Sequence, residues 1–298
     1  MCATCGCSAT DAILVTAHDH AHEHGHDHEH GHNHEHGHDH DHGHDHDHGY
    51  GHVHDHEHAH DGAQPHVHAV QNGHLDQLDA TDARTVVLER AVLATNDALA
   101  AVNRQWFADR RIVALNLVSS PGSGKTTLLE RTIRDLGADL PMVVIEGDQA
   151  TENDSARIRA AGARALQVNT GTGCHLEAGI IGRALDVLAP QADSLVIIEN
   201  VGNLVCPALF DLGERAKVAI LSVTEGDDKP AKYPYMFAVA DLLVINKIDL
   251  LPYVDFDVKR CIANARAVRP GLEAIAVSAK TGENMDAWYS WIRRSRVG

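Results

Sequence analysis

The chain lacks basic residues in its first 83 positions and lacks histidine almost everywhere else. No lysine or arginine precedes Arg84, and of 25 histidines only His175 lies after residue 74. In total, 25 basic residues stand against 42 acidic ones, a formal net charge of −17. Because no region is strongly positive, a basic nucleic-acid-binding surface is excluded.

Long apolar runs are also missing. No stretch approaches the roughly 18 apolar residues of a membrane helix, so we expect no membrane association. A secretory signal needs a positive start and an apolar core, and the short run at residues 13–15 supplies neither. We therefore expect a cytoplasmic protein, in which the six cysteines are thiols or metal ligands rather than disulfides.

What the front of the chain does contain is histidine, alternating with Asp, Glu and Gly over residues 18–60. Such a tract has almost nothing apolar to bury, so we expect it to be disordered. Its imidazoles suit nickel, zinc and copper, which indicates weak storage of several ions. A solubilising spacer or a cloning tag is the alternative, although a tag has consecutive histidines.

Three cysteines precede the histidine tract: Cys2, Cys5 and Cys7. Three thiols within six residues can surround one ion, and the amino terminus can add a nitrogen ligand. Four such ligands in a plane suit Ni(II). The alternatives are a chance cluster and a lipoprotein cysteine, which would need the missing signal.

The sequence becomes globular near residue 80, so we divide the chain into 1–17, a CxxCGC metal-binding segment, 18–79, the histidine-rich region, and 80–298, one folded domain. Residues 84–107 read as an amphipathic helix capped by Thr81 or Asp82. Strands are predicted at 112–118, 142–146, 165–168, 195–199, 218–223, 242–246 and 274–277, with helices beginning near residues 125, 153, 173, 230, 255 and 284. This alternation predicts an α/β fold with a doubly wound, mostly parallel sheet.

A phosphate-binding loop follows the first of these strands. Its backbone N–H groups, with the N-terminus of the next helix, form an anion-binding nest. Lys125 is expected to reach the β- and γ-phosphates and Thr126 to bind Mg²⁺. The pattern departs from G-x-x-x-x-G-K-[ST] at its first position, which is Ser119. The expected nucleotide contacts are Ser120, Pro121, Gly122, Ser123, Gly124, Lys125, Thr126 and Thr127.

Two further motifs predict recognition of guanine. Asn246, Lys247 and Asp249 form an NKxD motif, in which the carboxylate accepts from guanine N1–H and N2–H₂ and the lysine stem covers the purine. Ser278, Ala279 and Lys280 form an SAK motif, in which the Ala279 N–H is expected to bond guanine O6. In this order, and at strand ends, the three motifs specify GTP.

Carboxylates between these motifs are expected to sense the γ-phosphate. Asp148 and Glu199 are candidate Mg²⁺ ligands and catalytic residues, and the Gly202 N–H is expected to face the phosphate. Either carboxylate can alternatively be a strand-end capping residue. With no glutamine evident for orienting water, intrinsic hydrolysis should be slow.

Cys174, His175 and Cys206 make a candidate metal site in the folded domain. We expect Cys174 near a helix N-terminus, which would favour its thiolate, and Cys206 in a loop continuous with Gly202. Three ligands leave a tetrahedral shell open to water or to a second subunit. The alternative is that each cysteine is a small buried apolar residue, which is also what we predict for Cys261.

These residues together resemble the HypB family, the hydrogenase nickel-incorporation GTPases. The resemblance is carried by Cys2 to Cys7, the histidine tract, Ser119–Thr127, Glu146–Asp154, Cys174-His175, Glu199–Cys206, Thr224–Pro230 and Asn246–Asp249. It implies a P-loop GTPase of the SIMIBI class, whose members dimerise around nucleotide. It also implies nickel delivery to the large subunit of a [NiFe]-hydrogenase, a HypA-type metallochaperone as partner, and a Cys174/His175/Cys206 metal site at the dimer interface, with zinc as an alternative occupant.

Two other interpretations stay open. The urease nickel GTPases of the UreG family use a contiguous Cys-Pro-His motif, whereas here Cys206-Pro207 is followed by Ala208 and the histidine adjoins Cys174. A passive nickel store with a vestigial nucleotide site is the second, against which the intact Lys125 and Asp249 argue.

Overall fold

The computed structural model describes residues 13–15, 80–148, 153–171 and 173–296. The strands are β1 Ile13–Val15, β2 Val113–Ser119, β3 Met142–Asp148, β4 Arg164–Asn169, β5 Leu195–Glu199, β6 Ala216–Ser222, β7 Leu242–Asn246 and β8 Glu273–Ala276. The helices are α1 Ala80–Asp109, α2 Lys125–Leu136, α3 Asn153–Ala160, α4 Ala178–Leu188, α5 Cys206–Leu209, α6 Lys229–Lys232, α7 Pro234–Val239, α8 Val258–Val268 and α9 Met285–Ser295, and a 3-10 helix covers Ile248–Tyr253. None of the helices in these ranges combines the length and hydrophobicity needed to span a bilayer.

The strands form one sheet in the order β1-β4-β3-β5-β2-β6-β7-β8. Strands β2 to β8 are parallel, and β1 joins the edge antiparallel to β4, with Leu14 opposite Val168. The predicted doubly wound, mostly parallel α/β sheet is therefore confirmed. The edge strand β1 was not predicted, because three apolar residues give no periodicity to read.

Burial on both faces explains the unbroken apolar strands. Along β5, Leu195 and Ile197 pack in the core that contains α2 and α9, whereas Val196 and Ile198 pack in the core that contains α4. Each side chain of this strand is thus removed from water, and polar residues are displaced to its end, at Glu199. This displacement places the polar side chains of several strands along one edge of the sheet.

Several predicted helix starts shift in the structure. Helix α1 already contains Thr81 and Asp82, so neither is a cap. The helix expected near residue 173 begins at Ala178, and the one expected near residue 230 is divided into α6 and α7 with Pro234 opening the second. Proline has no N–H to continue a preceding helix, so it starts a new one.

The N-terminal metal predictions lie outside the described residues. This applies to Cys2, Cys5 and Cys7 and to the histidine-rich region, which therefore stay predictions.

Candidate nucleotide and metal sites

A cleft of about 540 Å³ lies at the carboxyl ends of β2, β3 and β5. It is lined by residues 121–127 of the predicted phosphate loop and by Asp148, Glu199 and Gly202. In a parallel sheet the carboxyl ends of neighbouring strands open at one edge, and ligands bind there. The structure thus brings together residues from Pro121 to Lys247, which are 126 positions apart in the sequence.

Two glycines shape the phosphate loop. Gly122 and Gly124 have φ of 74° and 93°, a backbone region that favours glycine. A Cβ at Gly124 would lie 2.6 Å from Asn246 Nδ2, so the loop packs directly on the predicted base-binding motif. Helix α2 begins at Lys125, which puts its N-terminus at the cleft.

The conformation and contacts of Ser119 show why the first glycine of the motif can be replaced. Its φ is not positive, so the position does not require glycine. Its Oγ accepts a hydrogen bond of 2.9 Å from Lys125 Nζ, and it donates to the Ser120 carbonyl. Burial lowers the pKa of Lys125, while nearby carboxylates, Glu199 foremost, act in the opposite direction.

Buried carboxylates face the start of α2. Thr126 Oγ1 donates to Glu199 Oε1 at 2.8 Å. Burial raises the pKa of Glu199 to about 7, against the effect of Lys125. Burial, and then the charges of Glu199 and Asp148, raise the pKa of Glu146 to about 8.

These oxygens fit a hard cation. Within the described chain, one carboxylate oxygen of Glu146 and one of Glu199 are buried without a hydrogen-bond partner. Mg²⁺ prefers carboxylate and hydroxyl oxygens, and Thr126 and Asp148 supply two more oxygen ligands at the same cleft. Glu146 was not predicted, although an acidic residue inside the otherwise apolar β3 was the available signal.

Two basic side chains that the sequence did not assign also approach the phosphate loop. Lys229 Nζ donates to Ser120 Oγ at 3.1 Å, and Arg157 lines the cleft and donates to Thr127 Oγ1 at 3.3 Å. The segment carrying Lys229 is held in place by Asp227, whose carboxylate accepts a hydrogen bond of 2.9 Å from Arg260 Nε. Both cations can offset phosphate charge.

Asn246 ties three loops together. Its Nδ2 donates to the Ser123 carbonyl at 3.0 Å, in the phosphate loop. Its Oδ1 accepts from the Lys247 N–H at 2.8 Å and from the Ala279 N–H at 3.1 Å. The Ala279 N–H predicted for guanine O6 is thus engaged with Asn246 here, and its contact with a base stays a prediction.

The other base-binding residues converge on the same place. Ser278 Oγ donates to Asp249 Oδ1 at 2.6 Å, which orients the carboxylate and leaves its second oxygen for a ligand. Lys247, at a left-handed φ of 64°, lies against the phosphate loop and donates to the Gly122 carbonyl at 2.6 Å. Lys280 is exposed.

Gly202 lies against Pro121 of the phosphate loop. A Cβ there would lie 3.1 to 3.2 Å from Pro121 atoms, so a larger residue would push the two loops apart. Four residues later Cys206 opens α5, rather than lying in a loop, and is buried.

Cys174, His175 and Cys206 form a cluster in which the potential ligand atoms all lie within 4.8 Å of one another. His175 is stacked on Phe210, with ring centroids 3.9 Å apart. In the described chain its buried Nε2 makes no hydrogen bond and lies 3.6 Å from Glu177 Oε1. A buried imidazole nitrogen beside two thiols is a donor set suited to nickel or zinc.

One argument for this site was wrong in its details. Helix α4 begins at Ala178, so Cys174 lies in the preceding turn and not at a helix N-terminus. The thiol is half-buried, and its Sγ is 3.6 Å from His175 Nδ1. Cys261, by contrast, is fully buried in α8, as predicted, and burial raises its pKa to about 12.

Comparison with known proteins agrees with this geometry. A family model described as the CobW/HypB/UreG nucleotide-binding domain matches residues 113–276. The hydrogenase maturation factor HypB of Rhizobium leguminosarum bv. viciae is 59% identical over 212 residues, which are 71% of each chain. The crystal structure of HypB from Archaeoglobus fulgidus has a TM-score of 0.64 at 41% identity, covering 68% of this chain and 99% of that one. That of HypB from Helicobacter pylori in complex with nickel has a TM-score of 0.65 at 38% identity, covering 68% and 95%. The chain therefore belongs to the CobW/HypB/UreG family, as a P-loop GTPase fold, and within it to the HypB hydrogenase maturation factors.

Proposed function

We propose that this protein is a cytoplasmic, GTP-hydrolysing nickel metallochaperone that delivers nickel to the large subunit of a [NiFe]-hydrogenase during maturation. One observation carries the proposal: a single short segment joins the nucleotide cleft to the thiol cluster. Glu199 and Gly202 line the cleft, and Cys206 lies four residues further on. A ligand that moves this segment at one end must act on the metal site at the other.

The nucleotide is proposed to be GTP, hydrolysed slowly to GDP. The Asp249 carboxylate, oriented by Ser278, has the acceptor oxygens that guanine N1–H and N2–H₂ require. Lys125 would neutralise phosphate charge. Thr126, Asp148 and Glu199 would hold Mg²⁺, which supplies further charge neutralisation when bound with GTP.

Nickel is proposed as the cargo of the Cys174/His175/Cys206 site, for which zinc also suits the donor set. Three ligands leave a position that a second copy of the chain can complete. Val205 and Leu209, which precede and follow Cys206, are 41% and 43% exposed and form a small apolar surface beside the site. We propose that a homodimer covers this surface, and that a HypA-type metallochaperone and the hydrogenase large subunit are the further partners.

The test is hydrogenase activity in cells that lack this protein and carry one variant each. Lys125→Ala and Cys206→Ala should abolish activity at scarce nickel. Cys261→Ala removes an equally buried thiol away from the cluster and should leave activity in place. Activity equal to that of the parent in either of the first two variants would refute the proposal.

Single-turnover GTP hydrolysis separates this function from a passive store. A store with a vestigial nucleotide site should release no phosphate, whereas the proposed enzyme should release about one per bound GTP. Restored urease activity in place of hydrogenase activity would instead favour the UreG-type alternative.

A further inference from the structure

A row of polar side chains crosses the otherwise apolar core beneath the nucleotide cleft. Asn200 Nδ2 donates to Asn116 Oδ1 at 3.2 Å, and Asn116 Nδ2 donates to Glu214 Oε1 at 3.0 Å. The same Glu214 oxygen lies 3.5 Å from Lys217 Nζ. Asn116 and Lys217 are register partners on the neighbouring strands β2 and β6.

Both ends of this row reach the thiol cluster. At one end, Asn200 Oδ1 accepts a hydrogen bond of 3.1 Å from the Leu176 N–H, the residue after His175. At the other end, Lys217 Nζ donates to the carbonyls of Pro207 and Phe210, at 2.8 and 3.0 Å. Pro207 follows Cys206 in α5, and Phe210 is the residue stacked on His175. Hydrogen bonds therefore connect the row at one end to the residue after His175 and at the other end to α5 and Phe210.

Removing four polar side chains from water is unfavourable for the free energy of folding. Asn116 and Asn200 are 0% and 2% exposed, and the side chains of Glu214 and Lys217 are 6% and 8% exposed. Buried polar groups destabilise a fold unless each is paired, and apolar residues of similar shape often serve stability as well or better. Here the hydrogen bonds connect Asn200, at the carboxyl end of β5, both to the segment that carries His175 and to α5, which carries Cys206.

We propose that Asn200, Asn116, Glu214 and Lys217 are positioning residues that couple nucleotide state to the geometry of the Cys174/His175/Cys206 site. The inference rests on the proposed function and names the side chains that carry its coupling. Asn200 follows the candidate magnesium ligand Glu199 and itself lines the cleft, so a nucleotide that draws in this strand end displaces its amide. The displacement passes directly to Leu176 and, through the row, to α5. The two thiols therefore move relative to each other.

The hydrogen-bond direction along the row provides a reciprocal exchange as a test. Glu214 accepts from both Asn116 Nδ2 and the Leu212 N–H, at 3.0 and 2.7 Å, so the single amide oxygen of Glu214→Gln cannot pair both donors. Asn116→Asp puts a carboxylate opposite Glu214, so both single variants disturb the same link. In the double variant the glutamine oxygen accepts from the Leu212 N–H, and its Nε2 donates to the new aspartate, whose other oxygen still accepts from Asn200. The N–H···O link is restored with its direction reversed. The negative charge moves from residue 214 to residue 116, the register partner of Lys217, and the total charge is unchanged. Thr132→Val is the matched control, since Thr132 is fully buried and accepts from Trp288 Nε1 at 2.9 Å in the other core.

The readout is the nickel affinity of the cluster in the full-length protein, with GDP and with a non-hydrolysable GTP analogue. Protection of the half-buried Cys174 from alkylation, measured on its own peptide by mass spectrometry, reports this site alone. A chelating buffer fixes free nickel, so that the histidine tract does not deplete it. We expect the parent and Thr132→Val to show affinities that differ between the two nucleotides by about 5- to 150-fold.

Each single variant should reduce this ratio below about threefold, and the double variant should restore it to within about twofold of the parent. If Asn116→Asp does not fold, Glu214→Gln and the double variant carry the same comparison. Single variants with the parental ratio, or a double variant no better than the single ones, would overturn the role of the row while leaving the proposed function intact. Equal affinities in the parent would overturn the nucleotide-controlled delivery on which the inference rests.

Discussion

Replacing Asn246 with alanine should loosen the phosphate loop and both base-binding motifs at once. The substitution removes the donor to the Ser123 carbonyl and the acceptor for the Lys247 and Ala279 N–H groups. Asn246 is 1% exposed, so water does not readily replace it. At roughly 1 kcal/mol for each group left without its partner, the loss is about 3 kcal/mol of unfolding free energy.

For a domain of this size, 1 kcal/mol corresponds to about 2–4 °C in Tm, so Asn246→Ala should lower Tm by about 6–12 °C. GDP must then also order the separated loops, and we expect its Kd to rise at least tenfold, about 1.4 kcal/mol. Thermal unfolding of the nucleotide-free protein and titration with a fluorescent GDP derivative measure the two effects.

The matched control is Asn96→Ala. Asn96 is also buried, donates to the Asp211 carbonyl and accepts from the Ala178 N–H, and both partners lie outside the phosphate loop and the base-binding motifs. This variant should lose stability without losing GDP affinity. A Tm within 2 °C of the parent for Asn246→Ala, or a GDP affinity equal to that of the Asn96→Ala control, would refute the view that one amide holds the three loops.

Three further results are expected. Asp249→Asn should shift preference from guanine toward xanthine nucleotides, which carry a carbonyl where guanine has its amino group; competition binding checks this, and unchanged GTP preference would refute guanine reading by Asp249. With a pKa raised to about 12, the Cys261 thiol should resist iodoacetamide in the folded protein at pH 8, while the half-buried Cys174 reacts; equal labelling rates by peptide mass spectrometry would contradict the burial. Deleting residues 18–74 should remove most of the bound nickel seen by equilibrium dialysis but leave GTP hydrolysis unchanged, and normal hydrogenase maturation at scarce nickel would argue against storage.

The sheet was predictable because its strands are buried on both faces. Residues 195–199 are apolar up to the final glutamate, and that contrast marks both the strand and its carboxyl end. The edge strand Ile13–Val15 was not predictable, since its pairing with β4 depends on a partner about 150 residues away. The predicted first residue of a helix was wrong where a turn precedes the helix, as between Cys174 and Ala178.

The site was predictable where motifs are local and less so where contacts are distant. The phosphate loop and Asn246–Asp249 could be located from adjacent residues. Arg157 reaches the cleft only through the fold, without a signal in the sequence, and the only signal for Glu146 is an acidic residue inside an otherwise apolar strand. The same is true of Asn116, which reads as an isolated polar residue in an apolar strand until Asn200 and Glu214 are placed beside it.

The stacking of Phe210 on His175 has a consequence for how the metal site tells one ion from another. A ring held in place offers its nitrogen in one direction, and its rotational freedom, about 0.5–1.5 kcal/mol for an immobilised side chain, is already lost before an ion arrives. Cys206 is buried at the start of α5. Planar and tetrahedral ions therefore compete mainly for the position of Cys174, the half-buried thiol. In the proposed metal site, discrimination between nickel and zinc would then depend on Cys174 and the turn that carries it.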